Sequence, residues 1–268
     1  MPHRQHLFSL RVGHALREVF REGYGRRELV KDLIAGMTVG VIAIPLAMAL
    51  AIASGVAPQY GLYTAIIAGA IIAFTGGSRF SISGPTAAFV VILHPLTAEY
   101  GLAGLLLASL MAGAILIVMA YARLGRFIEY IPEAVTLGFT GGIAIVIVVL
   151  QVPDFIGIQI GAMPEHFVGK LASIAGQLTQ LDMGSTLVAV FTLVVMILWP
   201  RLRTPIPPHL PALVLACLLG VVFGWLGIEV DTIGSRFHYL LPDGGEASGI
   251  PPYLPAFEWP WNRAGTDG

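Results

Sequence analysis

Long apolar runs without a charged side chain recur along this chain, separated by short polar or basic breaks. The first covers residues 33–78, 46 positions without Asp, Glu, Lys or Arg. A spanning helix needs about 20 largely apolar residues, so this run has room for two, with "SGVAPQYG" (54–61) as the turn between them. Further runs follow at 80–98, 100–122, 134–153, 183–200 and 210–228. The pattern predicts an all-α membrane protein of seven segments, the third and sixth being the shortest.

The polar stretches predict lesser elements. "HLFSLRVGHALREVF" (6–20) spaces Leu7, Leu10, Leu16, Val19 and Phe20 among arginines. It fits an amphipathic helix on the inner headgroups, and nearly as well a solvated basic tail. "EHFVGKLASIAGQLTQL" (165–181) reads as a short interfacial helix on the outer side. The last forty residues, rich in Pro, Gly and Trp, read as an extracytoplasmic loop without a helix.

Composition agrees with a lipid environment. Of 268 residues, 56% are hydrophobic and 12% charged, and the mean hydropathy is +0.81. Soluble domains carry about 25% charged residues, so this chain has half the charge that a water-facing surface needs. A net charge of −1 gives no reason to expect a nucleic-acid partner. The one cysteine, Cys217, excludes a disulfide framework and a thiolate metal site and reads as a small buried hydrophobe. The Arg-rich first thirty residues lack the apolar core of a cleaved signal peptide.

Basic residues set an orientation. With the N-terminus in the cytoplasm, 12 of the 15 Lys and Arg fall inside and only Lys170, Arg236 and Arg263 outside, as the positive-inside bias requires. The expected location is a bacterial inner membrane, crossed several times.

Two breaks interrupt the apolar runs. Pro45 lies near the middle of the first segment, "GVIAIPLAMALA" (40–51), and removes one backbone hydrogen bond. In "FSISGPTAAFVVIL" (80–93) the first residues alternate like a short strand, Gly84 permits a turn, and Pro85 suits the first position of a helix. A helix from Thr86 would be about ten to fourteen residues long, too short to cross the bilayer alone. Irregular backbone at membrane depth is tolerated only inside protein or along a watery cavity. The amides of Thr86, Ala87 and Ala88, at the positive end of the helix dipole, would then form an anion site. Ser83, Thr86, Ala87 and Ala88 are small enough to let an oxyanion reach the backbone. A kink used only for helix packing is the competing reading.

No Asp, Glu, Lys or Arg occurs inside any segment. Asp32 and Glu133 sit where helices should start, and His94 reads as a packed or interfacial histidine. There is no GxSxG, HExxH or P-loop and no intramembrane carboxylate pair, which argues against an enzyme. No cofactor and no metal is expected.

"KDLIAGMTVGVIAIPLAMALAIASGVAPQYGLYTA" (31–65), "TGGSRFSISGPTAAFVVIL" (75–93), "GRFIEYIPEAVTLGFTGGIAI" (125–145) and "PHLPALVL" (208–215) resemble the SulP family of anion transporters, the sulfate permeases. The resemblance implies two inverted repeats of seven segments, a moving core and a gate, followed by a STAS domain. It implies elevator-like transport, with substrate held between half-helices of segments 3 and 10, and a homodimer in the full-length form. This chain then looks like the N-terminal repeat. A basic amphipathic N-terminus (1–31) would precede core segments 1–4 (32–122), gate segments 5–7 (123–228) and an outer loop (229–268), truncated before the second repeat.

By position, Pro45, Leu46, Ala49 and Leu50 match the unwound first-segment stretch facing the site, and Ser83, Gly84, Pro85, Thr86, Ala87 and Ala88 match the strand and the half-helix start. Some relatives carry Gln where Leu46 stands and an aromatic where Leu50 stands, so this pocket is more aliphatic. The implied substrates are small anions, C4-dicarboxylates such as succinate or fumarate first, sulfate or bicarbonate as alternatives, with H+ or Na+ as a coupling ion. A channel is the rival mechanism.

Overall fold

The structure, a computed structural model, describes residues 13–78, 84, 86–158, 160, 164, 166–240, 245–255 and 259. The chain divides into two compact units, Met1–Ala51 with Pro58–Thr86, and Ile52–Ala57 with Ala87–Gly268.

In the first unit α1 (His14–Glu22) precedes α2 (Arg26–Ala53), and α3 (Pro58–Thr75) follows. The start of α2 lies seven residues before the charge-free run, because helix propensity does not end where the charges begin. Asp32 is therefore inside the helix and is no N-cap; its carboxylate accepts the Tyr24 hydroxyl at 2.7 Å. α2 is also continuous through Pro45, so the unwinding implied at that position is absent. One missing N–H is tolerated when Leu46, Ala47 and Met48 continue as strong helix formers. The expected turn at 54–61 shrinks to 54–57, since Pro58 serves as the first residue of α3. That places Gly61 within α3, against Ala47 and Ala51 of α2. Both alanines are buried, so two backbones meet there with almost no side chain between them.

The second unit opens with a 3₁₀ turn, Ala87–Phe89, which runs into α4 (Val90–Tyr121). By length alone this is one apolar helix, Ala87–Tyr121. At Gly101, however, the backbone has φ 63° and ψ −168°, a conformation that only glycine adopts readily. The break leaves helical stretches at 87–100 and 102–121. A 3₁₀ segment, Leu124–Tyr130, leads to α5 (Glu133–Ile156), which Glu133 opens at its first turn. Then come α6 (Phe167–Gln177), α7 (Met183–Leu198), extended by a 3₁₀ turn to Leu202, and α8 (His209–Trp225). α7 packs between α5 and α8. The indole N–H of Trp199 donates to the Ile206 carbonyl at 3.1 Å and closes the α7–α8 corner.

Among the described residues, five helices are long and apolar enough to cross a membrane, one of them divided at Gly101, and α8 is a shorter apolar helix. The sixth apolar segment, α7, has 16 α-helical residues and reaches 20 with its 3₁₀ extension. Most large apolar side chains on these helices are exposed in the isolated chain. Such a surface is suited to lipid or to further protein. Cys217 is exposed on α8 rather than buried; its apolar surroundings in sequence are surroundings on the outside of a helix.

Asp182 caps α7, accepting the amides of Ser185 at 2.8 Å and Gly184 at 3.2 Å. The Ser185 side chain, and after it the amides of Ser185 and Gly184, hold its carboxyl below the usual carboxylate range against the opposing effect of burial. Asp182→Ala should destabilise the start of α7 by about 1 kcal/mol at neutral pH. A depressed folded-state pKa means that this contribution is complete above the ordinary carboxylate pKa of about 3.9. It is lost as pH falls through the lower folded value. Amide exchange in the first turn of α7 should therefore separate wild type from Asp182→Ala at neutral pH and converge on strong acidification.

The C-terminal region is not a bare loop. α9 (Ile233–Arg236) is closed by a capping box between Thr232 and Ser235, and β1 (His238–Leu240) pairs antiparallel with β2 (Glu246–Ser248). His238, Tyr239 and Leu240 stand opposite Ser248, Ala247 and Glu246. Three residues per strand were too few for alternation to show in the sequence.

Candidate functional site

Four of the expected site residues, Pro45, Leu46, Ala49 and Leu50, lie on one stretch of α2 in the first unit. Pro45 and Leu50 are half-buried, and Leu46 and Ala49 exposed. Gly84 and Thr86 are exposed, and Ala87 and Ala88, half-buried, form the 3₁₀ turn that opens the second unit. Ser83 and Pro85, with the strand expected at 80–83, lie outside the described residues. The turn at Ala87–Phe89 rests beside α5.

The helix from Ala87 is short because its end is set by Gly101. Fourteen residues (87–100) rise about 21 Å at 1.5 Å per residue, against a hydrocarbon core of about 30 Å. Its far end is pinned. Nδ1 of His94 lies 3.1 Å from the Ala53 carbonyl, and a Cβ at Gly55 would sit in contact with His94 and Thr97. His94 is thus a packed histidine, as its position in the sequence suggested. Chemically the helix start offers a dipole's positive end beside two methyl groups, with no charged side chain among 84 and 86–88.

A second polar cluster went unseen in the sequence. Arg236 donates to Asp154 at 3.3 Å across 82 positions, the Asp231 amide donates to Ser185 Oγ at 3.3 Å, and the Asp182 amide donates to the Ile156 carbonyl at 3.1 Å. A Cβ on Gly157 would come within 2.7 Å of the Asp182 Cβ, so this knot ties α5, α7 and the segment after α8 at close quarters. Only the Asp182 cap carried a sequence signal, an Asp directly before an apolar run. Lys170 of α6 is 4% exposed, and Ile174, one turn on, is buried as well. Among the described residues no group of three or more His, Cys, Asp or Glu could hold a metal ion.

Several helices long and apolar enough to span, one of them broken at a glycine, define a multi-pass membrane protein. The profile of the Sulfate permease family matches residues 29–261, and the chain belongs to that family. It is 41% identical over 239 residues to the "Putative sulfate transporter YvdB" of Bacillus subtilis (strain 168), covering 89% of this chain and 43% of that protein. It is 32% identical over 204 residues to the "Bicarbonate transporter BicA" of Picosynechococcus sp., covering 72% of this chain and 36% of that one. Among solved structures, the transmembrane domain of a cyanobacterium bicarbonate transporter BicA superposes with a TM-score of 0.67 at 32% identity, over 78% of this chain and 54% of that chain. The chain spans less than half the length of these two relatives. They are transporters by name, not enzymes.

Proposed function

We propose that this chain is the N-terminal repeat of a secondary transporter for small oxyanions. Its proposed anion-binding residues are Ser83, Gly84, Pro85, Thr86, Ala87 and Ala88, together with the aliphatic Pro45, Leu46, Ala49 and Leu50. The observation that carries this reading is the interrupted helix: 87–100 is too short to span, so its positive end falls within the membrane. Apolar residues then exclude water, and low polarity strengthens the attraction of dipole and anion. One helix terminus carries roughly half a positive charge. A second, from a facing inverted repeat, would bring the total to about one, enough for a monoanion. A dianion would need a further basic residue or a co-transported H+ or Na+.

In this reading residues 32–122 are the moving core and 123–228 the gate. The N-terminus is cytoplasmic in a bacterial inner membrane, and the complete protein is a homodimer working by an elevator-like movement. Relatives named for sulfate and bicarbonate are the reason to try these anions before C4-dicarboxylates. Uptake of labelled sulfate, bicarbonate and succinate by transporter-deficient cells expressing a polypeptide with both repeats tests the proposal. Saturable uptake of one of the three, competed by its close analogues, is expected. Currents of single-channel size would show a pore instead, and no anion flux at all would refute the reading.

A further inference from the structure

We propose that α1 is a lipid-reading helix that lies in the headgroup layer and binds anionic phospholipid through Arg17 and Arg21. Its place is fixed by the first unit. The Gly13 amide donates to the carbonyl of Thr75, the last residue of α3, at 3.0 Å. Gly13 is left-handed at φ 67°, and a Cβ there would meet the Phe74 carbonyl at 3.0 Å. At its other end α1 is three residues from Arg26, where α2 begins. One end of the helix is thus bonded to where the apolar α3 stops and the other is joined to the charged start of α2. That is the level of a membrane face.

The order of side chains around α1 then decides what covers it. At 3.6 residues per turn, the circuit runs Glu18, Glu22, Ala15, Val19, Leu16, Phe20, Arg17, Arg21, His14. The apolar arc has a covered half and an open half. Ala15 is 7% exposed, whereas Leu16 is 39% and Phe20 63% exposed. The carboxylates adjoin the covered half, and Glu18 is engaged with His14 at 3.7 Å. The guanidinium groups adjoin the open half. Phe20 is steadied by an edge contact with Tyr24, ring centroids 5.8 Å apart. An uncovered Leu–Phe strip bordered on one side by two arginines, with its acids turned away, suits acyl chains below and phosphates beside them. Arg26, Arg27 and Lys31, all exposed on α2, extend the same basic surface.

The inference does not rest on the anion site. It is tested with the 268-residue chain in nanodiscs of phosphatidylcholine alone or mixed equally with phosphatidylglycerol, by amide hydrogen exchange over 14–22. Exchange should slow in the anionic discs. Each arginine should account for about a five-fold effect, and the two together for about twenty-five-fold, the pull of an anionic surface on basic side chains. Arg17→Gln with Arg21→Gln should abolish the difference between lipids, whereas Glu18→Gln with Glu22→Gln should keep it. Exchange in α5 and α7 serves as the folding control and should not change. Equal protection in both lipids would indicate a protein partner and overturn the proposal. So would a lipid difference that survives the loss of both arginines.

Discussion

Gly61→Ala should separate α2 from α3 and cost about 3 kcal/mol or more, at the upper end of overpacking effects. A Cβ at this position would land on the carbonyl of Ala47 and within 2.9 Å of the Ala51 Cβ. Backbone cannot swing aside as a long side chain can, so the helices must part, and the packing around buried Ala47 and Ala51 is lost with them. Gly69, two turns further along α3, has no heavy atom within 4 Å of an added Cβ. Gly69→Ala should therefore be neutral, or gain up to about 1 kcal/mol from helix propensity. Melting temperatures of the two variants in one detergent decide the matter. If both fall alike, or neither falls, the close approach of α2 and α3 is not what holds this unit.

The second large effect concerns the helix start. In a polypeptide that carries both repeats, Thr86→Asp should weaken binding of the transported anion more than tenfold, because it sets a carboxylate where the substrate's own charge is to be held. Thr86→Ala keeps the backbone and should change affinity by about 1 kcal/mol or less, the worth of one neutral hydrogen bond. Thr86→Asn matches Asp in size without its charge and should behave like Ala. The readout is ligand-induced thermal stabilisation at similar unliganded melting temperature. A packing kink without an anion would make Asp and Asn equally harmful. Undiminished stabilisation in Thr86→Asp would rule out this helix start as the site.

The sequence by itself determined the class of the protein. Charge-free runs reveal spanning helices because burying an unpaired charge in lipid costs more than any local preference, so 33–78 and the runs after it were legible. The break expected at Gly84-Pro85 in "FSISGPTAAFVVIL" falls largely on residues 79–83 and 85, outside the described ones. The break at Gly101, by contrast, was not anticipated, since a lone glycine in an apolar run need not interrupt a helix. What the sequence could not determine depends on neighbours. Pro45 looked like a site of unwinding, yet α2 passes through it, because a ring that removes one hydrogen bond leaves the rest of the ladder intact. Cys217 looked buried, but an apolar sequence does not say whether a side chain meets protein or lipid, and on α8 it faces outward. Gly61 looked like part of a turn until α2 lay against it. Arg236 finds Asp154 across 82 residues, a pairing that the closure of the chain alone brings about.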